Sequence, residues 1–441
     1  MRQGLPPGLV AALFLAAAVA PLALAALSGE PPEALPTEMG IGLGLAALAL
    51  MVLQFAHSGR FETLSGRIGI DRTMRLHRAA ALALFTMALL HPIAFVFPAL
   101  LSAPSHALEQ LWRLVAKPRM ASGVAALVCL ALLVLLSHTR HRLGLPYQTW
   151  RALHAGLGLA AVGFAVEHAL SVGLYSEGEA LRAVWLAGLG LAVGALVWTW
   201  GVKPLLGARQ GWRVAGVRRL GDGYWELVLS RPSPEPFAFA AGQFVWLAVG
   251  RRAPWDDNPF SIASAPGERD LAFVLREAGD FTRSLNRLAP GTPVRVDGPH
   301  GAFRLDEGET RAILLIAGGA GIAPVLAIWR HLARAGHPAP VRLIYGAQVA
   351  TKLLYREELA ATAAARGFGL ILRVEEGELP EGVGRGRIDR AVLTEALRGL
   401  DPARTLVMIC GPRPMMLAVA GELEALGLPP SAILYEAFVY D

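Results

Sequence analysis

Four histidines fall in two apolar stretches with the same internal spacing. His77 and His91 lie in one, His154 and His168 in the other, with thirteen residues between the members of each pair. In an α-helix the fourteen steps from the first to the second, at ~100° each, end only ~40° short of four full turns and rise ~21 Å. Each helix therefore carries two imidazoles on nearly one face, separated by about two-thirds of a ~30 Å hydrocarbon core. Two such helices side by side make two levels, His77 with His154 and His91 with His168. Two neutral imidazoles facing each other across a gap can hold a flat metal macrocycle by both axial positions. The spacing predicts one-electron chemistry at two b-type haems stacked through a membrane. The plainer alternative is membrane histidines bonded to neighbouring carbonyls. Ionisable groups inside apolar helices are costly and usually functional, and the same spacing on two helices is hard to reach by accident.

The elements that must position these residues are legible in the composition. The chain has 441 residues, of which 54% are hydrophobic, and a mean hydropathy of +0.45. Such a length suggests two to three domains. The apolar excess lies before about residue 202, and charge thickens after it. The net charge of +6 is assigned to membrane-flanking loops and phosphate sites. No basic stretch is interleaved with base-stacking aromatics, so no nucleic-acid partner is expected. The two cysteines, Cys129 and Cys410, stand in different regions and exclude a disulfide framework, a zinc site or a Cys-ligated iron–sulfur cluster.

Six apolar spans are read, at roughly 9–27, 41–56, 77–100, 123–136, 150–172 and 181–200. The second and fourth are short and are expected to tilt less or to extend at their ends. The first could be read as a signal peptide, but its length favours a retained helix. Loop charge sets the orientation. Arg60, Arg67, Arg72 and Arg75 lie in the loop 53–77, Arg140, Arg142 and Arg151 in 137–151, and Lys203, Arg209 and Arg213 follow the last span. The alternate loop 28–39 holds Glu30, Glu33 and Glu38 and no positive residue. The positive-inside rule places the first set in the cytoplasm, although Arg113, Lys117 and Arg119 in the loop 102–122 run against it. The expectation is a multi-pass protein of the cytoplasmic (inner) membrane. His77 and His154 then lie near the cytoplasmic side, and His91 and His168 near the outer side. His57, His106, His138 and His141 are read as interfacial residues, not ligands.

After about residue 211 the pattern changes. Short β-rich runs at 212–217, 224–229, 243–249, 271–275 and 294–296 are broken by Gly, Pro and Asp and predict a small antiparallel barrel. Within it lie Asn258-Pro259-Phe260-Ser261 and Gly279-Asp280-Phe281-Thr282-Arg283-Ser284-Leu285. The second stretch reads as a glycine turn running into a helix N-terminus, whose free N–H groups, with an Arg beside them, suit a pyrophosphate. The last third alternates strand and helix, with strands at 312–316, 341–345, 370–374 and 406–410 and helices at 355–366, 389–398 and 413–426. Gly318-Gly319-Ala320-Gly321-Ile322-Ala323-Pro324 joins the first strand to an amphipathic helix reaching about residue 335. That layout cradles a dinucleotide phosphate, without the six-position fingerprint. Cys410-Gly411-Pro412 closes a strand and opens a helix, and ligands of open α/β sheets sit at such strand ends. The expected fold is therefore an α-helical membrane bundle of six helices (1–205), an antiparallel β-barrel flavin domain (211–306) and an α/β nucleotide-binding domain (307–441).

These motifs together resemble the NADPH oxidase and ferric reductase superfamily, a ferric-reductase-like haem domain joined to a ferredoxin–NADP reductase-like flavin module. The resemblance covers nearly all residues after the first helix. Gly69-Ile70-Asp71, Leu76-His77-Arg78 and His91-Pro92 resemble the family's third helix, and Tyr147, Trp150-Arg151 and His154 the start of its fifth. It implies FAD held by Asn258, Pro259, Phe260 and Ser261 and by Gly279, Phe281, Thr282, Arg283 and Ser284. It implies NAD(P)H held by Gly318, Gly319, Gly321, Ile322 and Pro324 and by Cys410, Gly411 and Pro412. Ser261 would support the flavin nitrogen that takes the hydride, Cys410 and Glu436 would border the nicotinamide, and Phe438 would cover the flavin. Three positions depart from the pattern. Asn258 stands where His or Arg is usual, Gln348 with Lys352 stands where NADPH-specific relatives carry a basic residue, and Val439-Tyr440-Asp441 follow Phe438.

The implied function is transmembrane electron transfer from cytoplasmic NAD(P)H through FAD and two haems to an outer acceptor. O2 giving superoxide is expected first and a ferric chelate second. Two other classes remain, a haem-free anchor for a flavin reductase and a haem-binding sensor or assembly subunit. The paired histidines argue against one and the complete nucleotide motifs against the other. No calcium-binding loop is present in the sequence.

Overall fold

The computed structural model describes residues 4–58, 60–250, 253–306 and 311–435. The chain divides into a unit of Gln3–Lys203 with Pro254–Asp256 and a unit of Pro204–Ala253 with Asp257–Asp441.

The first unit holds α1 (Pro7–Ala26), α2 (Leu35–Ala56), the single turn α3 (Glu62–Ser65), α4 (Ile70–Ser102), α5 (Pro104–Val115), α6 (Ala121–Leu143), α7 (Tyr147–Val172) and α8 (Glu179–Val197). Among the described residues six helical stretches are long and apolar enough to cross a membrane, with mean hydropathies between 1.5 and 2.5. Leu45, Leu48 and Val52 of α2, Leu84 of α4, Leu130 of α6, Val162 and Val166 of α7 and Trp185 of α8 form the shared core. Leu15, Leu82, Leu132 and Leu186 point outward, as expected where the surrounding solvent is hydrocarbon.

The two short spans do extend at their ends, α2 back to Leu35 and α6 across Ala121–Leu143. The third span also starts early, at Ile70, so Arg72 and Arg75 sit on the first turns of α4, and Arg140 and Arg142 sit on the last turns of α6, instead of in loops. Long basic side chains at the end of a spanning helix can reach back to water. The segment 102–122, expected as a loop, contains α5. Pro104 opens that helix at a position where a missing N–H costs nothing, and Ala107, Leu108, Leu111, Trp112 and Val115 recur at helical spacing. Leu108 and Trp112 are exposed. His57 lies at a helix end, as read, and packs inward there. It is buried at the end of α2, edge-on to Phe14 at 4.7 Å, with its Nδ1 3.1 Å from the Leu53 carbonyl oxygen.

The second unit follows α9 (Lys203–Arg209). Its strands β1 (Arg213–Gly221), β2 (Tyr224–Ser230), β3 (Phe244–Val249), β4 (Asn258–Ser261), β5 (Leu271–Arg276) and β6 (Val294–His300) form two antiparallel three-stranded sheets, ordered β1-β2-β5 and β4-β3-β6. The sheets are linked by the bridges Arg213–Pro293 and Ile262–Phe273. Trp212, Leu227, Leu229, Val245, Leu247 and Phe273 fill the space between them. The single turn α10 (Asp280–Arg283) lies between β5 and β6.

The remaining strands are β7 (Ala312–Gly318), β8 (Val341–Ala347), β9 (Gly369–Val374), β10 (Val383–Arg385), β11 (Thr405–Cys410) and β12 (Ile433–Tyr435). They form one parallel sheet ordered β10-β9-β8-β7-β11-β12. Helices α11 (Ile322–Ala335), α12 (Arg356–Arg366), α13 (Arg390–Leu397) and α14 (Arg413–Ala425) complete the layers. β7 shows why its sequence is continuously apolar. Ile313, Leu315 and Ala317 pack with Val325 and Trp329 of α11 on one face, while Leu314 and Ile316 meet Leu393 of α13 and Val419 of α14 on the other. A parallel strand is covered on both faces. The chain leaves β7 toward β8 and returns beyond it to β11, so the order reverses between β7 and β11.

Candidate functional site

The first unit brings the histidines together as two pairs. Both α4 and α7 begin seven residues before their first histidine. His77 and His154 have ring centroids 6.3 Å apart with planes at 43°, and His91 and His168 have the same 6.3 Å separation with planes at 86°. Neighbouring helices orient two of the rings. The Nδ1 of His91 lies 2.7 Å from the Gly40 carbonyl oxygen of α2. The Nδ1 of His154 lies 3.1 Å from Ser137 Oγ of α6, whose own proton goes to the Leu133 carbonyl at 2.8 Å. With Nδ1–H donated, each ring keeps Nε2 as its lone-pair nitrogen, the usual way an outer partner fixes a metal-binding imidazole. Trp150 lies against His154 at 5.2 Å between centroids. Among the described residues no group of three or more His, Cys, Asp or Glu side chains could hold a metal ion.

These two ring partners were not read from the sequence. Ser137 is a hydroxyl just past an apolar span, and Gly40 and Gly44 recur one helical turn apart. Both signals are visible in the sequence, but only the packing of α2 and α6 shows what they touch.

In the second unit Asn258–Ser261 is strand β4 itself, paired with β3 from Leu247–Asn258 to Phe244–Ser261. Phe260 and Phe281 have ring centres 5.7 Å apart, so the two stretches read as flavin-binding lie side by side. The second differs from expectation. It is a single helical turn, and Thr282 Oγ1 takes the N–H groups of Ala278 and Gly279 at 2.9 and 3.0 Å. Those donors are therefore spent on the turn, and Ser284 likewise donates to the Phe281 carbonyl at 2.7 Å. The exposed guanidinium of Arg283 remains as the motif's charge.

The nucleotide turn sits at the strand reversal. Ala317 is level with Cys410, and Gly318 with Gly346. A Cβ on Gly321 would lie 2.1 Å from the Cys410 carbonyl oxygen, and one on Gly411 would lie 3.1 Å from Gly318 N. The two glycine-bearing loops therefore touch backbone to backbone at the carboxyl ends of β7 and β11, where open α/β sheets bind ligands. Two phenols missed by the sequence reading stand beside this turn. Tyr345 Oη lies 3.3 Å from the Gly319 carbonyl oxygen, and Tyr224 Oη would be 3.2 Å from a Cβ on Gly319. Burial pushes both phenols above their ordinary range. Cys410 is buried at the strand end. Gln348 and Lys352 contact each other, with Nζ donating to Oε1 at 3.1 Å. Glu436 and Phe438, and with them Tyr440, which the sequence offers as the alternative ring to cover the flavin, lie outside the described residues.

Barrel and sheet are tied by one polar network. Arg330 of α11 holds Glu358 through two contacts of 2.6 and 2.7 Å and donates to the Ala263 carbonyl at 2.9 Å, two residues beyond Ser261. The Tyr355 hydroxyl donates to Glu226, which also takes Arg218 at 2.8 Å. Burial and the Glu226 carboxylate hold the Tyr355 phenol well above the usual range, so it remains a donor.

Comparison with known proteins places three families along the chain. Residues 43–199 match the ferric reductase like transmembrane component, 209–304 an FAD-binding domain and 315–421 an oxidoreductase NAD-binding domain. Ferredoxin–NADP reductase B of Sorangium cellulosum is 34% identical over 239 residues, covering 51% of this chain and 96% of that protein. The reductase component of propane 2-monooxygenase from Gordonia sp. is 32% identical over 236 residues, covering 51% of this chain and 66% of that protein. The chain spans about three-fifths to two-thirds of the length of the first curated relatives it matches. Among solved structures, a ferredoxin NADP+ reductase from Neisseria gonorrhoeae with bound FAD and NADP matches with a TM-score of 0.45 at 21% identity, covering 51% of this chain and 97% of that one. The chain belongs to the ferric reductase and NADPH oxidase-like superfamily, as a membrane oxidoreductase whose ferric-reductase-like transmembrane domain is fused to FAD-binding and NAD-binding domains.

Proposed function

We propose that this reductase carries electrons from cytoplasmic NAD(P)H, by way of FAD and two b-type haems, across the cytoplasmic membrane to O2, which leaves as superoxide. The observation that supports this reading best is the 6.3 Å separation of ring centres in both histidine pairs. An iron bound on both sides at about 2.0 Å by ring nitrogens, each about 1.15 Å from its ring centre, needs about 6.3 Å between centres. When bound, the flavin and haems supply the conversion of a hydride into single electrons and a one-electron relay. The chain's own residues bind and align. His77 with His154 and His91 with His168 hold the irons. Asn258–Ser261 and the turn around Arg283 hold the flavin, and Gly318–Pro324 with Cys410–Pro412 seat the nicotinamide nucleotide. Arg330, through the Ala263 carbonyl, fixes the strand end behind Ser261 relative to α11.

Arg283 is the charged group of the flavin turn, because Asn258 brings no charge. Hydrogen bonds to charged groups contribute about 1.5–3 kcal/mol. Arg283→Ala is therefore expected to weaken FAD retention by at least about tenfold, read as flavin per protein after gel filtration. Unchanged flavin content would remove Arg283 from the phosphate site.

Held by both histidines of a pair, an iron would have no open position, so it would supply electrons to the acceptor by outer-sphere transfer and no bound-oxygen site would be needed. A ferric chelate is the second reading. Lys117 and Arg119 are exposed beyond α5, while Arg113 is paired with Glu109, and two unpaired cations would attract an anionic chelate. In vesicles, NAD(P)H-driven reduction of external cytochrome c is expected to be suppressed by superoxide dismutase. If dismutase has no effect and ferric citrate is reduced as fast without oxygen, the ferric reductase reading replaces the oxidase reading.

A further inference from the structure

We propose that Gly44 of α2 and Gly123 of α6 are positioning residues that set the ring planes of His91 and His168, making the two haem levels unlike in ligand geometry. This rests on the bis-histidine reading above. A Cβ on Gly44 would lie 2.8 Å from His91 Nδ1 and 2.9 Å from its Cε1, and a Cβ on Gly123 would lie 2.8 Å from both the same atoms of His168. Each ring therefore abuts bare backbone of the neighbouring helix. His91 is held from two directions by one helix, because Gly40, one turn before Gly44, accepts from its Nδ1 at 2.7 Å. Phe95 crosses the His91 ring at 89°, 5.3 Å between centres, and a Cβ on Gly40 would lie 2.8 Å from that phenyl ring.

The other level is built differently. His77 and His154 are absent from the nearest contacts of every described glycine. Their level is held instead by the Ser137 hydroxyl and the Trp150 ring against His154. The outcome is a near-perpendicular pair at 86° and a half-turned pair at 43°. The angle between two axial imidazole planes sets how evenly the iron's d orbitals are split. The perpendicular pair gives the more axial low-spin ferric spectrum with the larger principal g, and the half-turned pair a more rhombic one. Ligand orientation and outer hydrogen bonds also shift reduction potential.

The test is electron paramagnetic resonance of the oxidised full-length protein in detergent, with haem quantified per chain. Two low-spin signals of unequal principal g are expected in the parent. Gly44→Ala and Gly123→Ala, which press a methyl into a ring seat, should each shift or abolish the larger-g signal and spare the other. Gly156→Ala and Gly163→Ala, where an added Cβ meets nothing within 4 Å, should leave both signals in place. Loss of one haem with only the larger-g signal missing also supports the seat. The parent spectrum needs no variant, so a poorly folding substitution does not remove the test, and Gly44 and Gly123 lie on different helices. Two haems with indistinguishable signals, or alanine variants with the parent's spectrum, overturn the inference and leave the bis-histidine reading standing. A parent with no haem overturns that reading, and the inference with it.

Discussion

Replacing His91 with leucine is expected to lower bound haem from about two per chain to about one, and to stop electron delivery to the outer acceptor. Reduction of a soluble dye by NAD(P)H at the flavin should continue. Leucine is well accommodated in a spanning helix and brings no nitrogen. It leaves the Gly40 carbonyl without the donor now 2.7 Å away, a loss of about 1 kcal/mol, small beside the helix packing around Leu84 and Leu45. The fold should therefore persist while one of the two histidines proposed to hold the outer haem disappears. His168 remains, but a single imidazole cannot keep a six-coordinate iron. The remaining haem should retain the spectrum of the His77 and His154 pair. Haem stoichiometry, the reduced-minus-oxidised spectrum and dye reduction on the same preparation separate the outcomes. Two haems with an unchanged spectrum would remove His91 from the ligand set. Loss of dye reduction together with haem would point to misfolding and not to ligation.

The histidine pairs were readable because periodicity is a property of one helix at a time. A spacing of fourteen returns nearly to the same face whatever surrounds it, and the rings of His77 and His154, and of His91 and His168, do meet. The parts that could not be read depend on neighbours. Gly40, Gly44 and Gly123 look like ordinary small residues of apolar helices until α2 and α6 are laid beside the imidazoles. Elements were missed for local reasons. β4 contains Pro259, which argues against a central strand, and it is tolerated because β4 lies at the edge of β4-β3-β6. β10 and β12 have three residues each, too few for an alternation to register. α5 carries helical spacing, but it is short, Pro104–Val115, and lies between two spans whose hydropathy dominates the segment. The turn at Gly279 was recognised, yet the route of its N–H groups into Thr282 Oγ1 is a matter of rotamer and not of sequence pattern.

Gly321→Ala is expected to cut NAD(P)H-driven dye reduction by at least about tenfold, mainly by raising the KM for the nicotinamide, while both haems remain. The backbone of Gly321 is ordinary, with φ at −61°, so alanine meets no conformational penalty there and the effect is steric. The new methyl would stand 2.1 Å from the Cys410 carbonyl oxygen, 2.4 Å from its carbon and 2.7 Å from Gly411 N. All three are backbone atoms, so no rotamer change relieves the contact. Either the turn after β7 or the end of β11 must move by about an ångström, and the strands themselves resist, being joined from Thr405–Ala312 to Cys410–Ala317 and fully buried. Overpacking of this kind costs about 1–3 kcal/mol, and each 1.36 kcal/mol taken from transition-state binding is about tenfold in rate. The loops that touch here are the ones proposed to seat the nucleotide, so the displacement falls on binding first. Gly336→Ala is the contrast. It caps α11 at φ +64° with open space around it, costs about 1 kcal/mol of backbone strain, and should leave the KM unchanged. A Gly321→Ala protein with the parent's KM, kcat and melting temperature would show that the turn after β7 is not where the nicotinamide nucleotide sits.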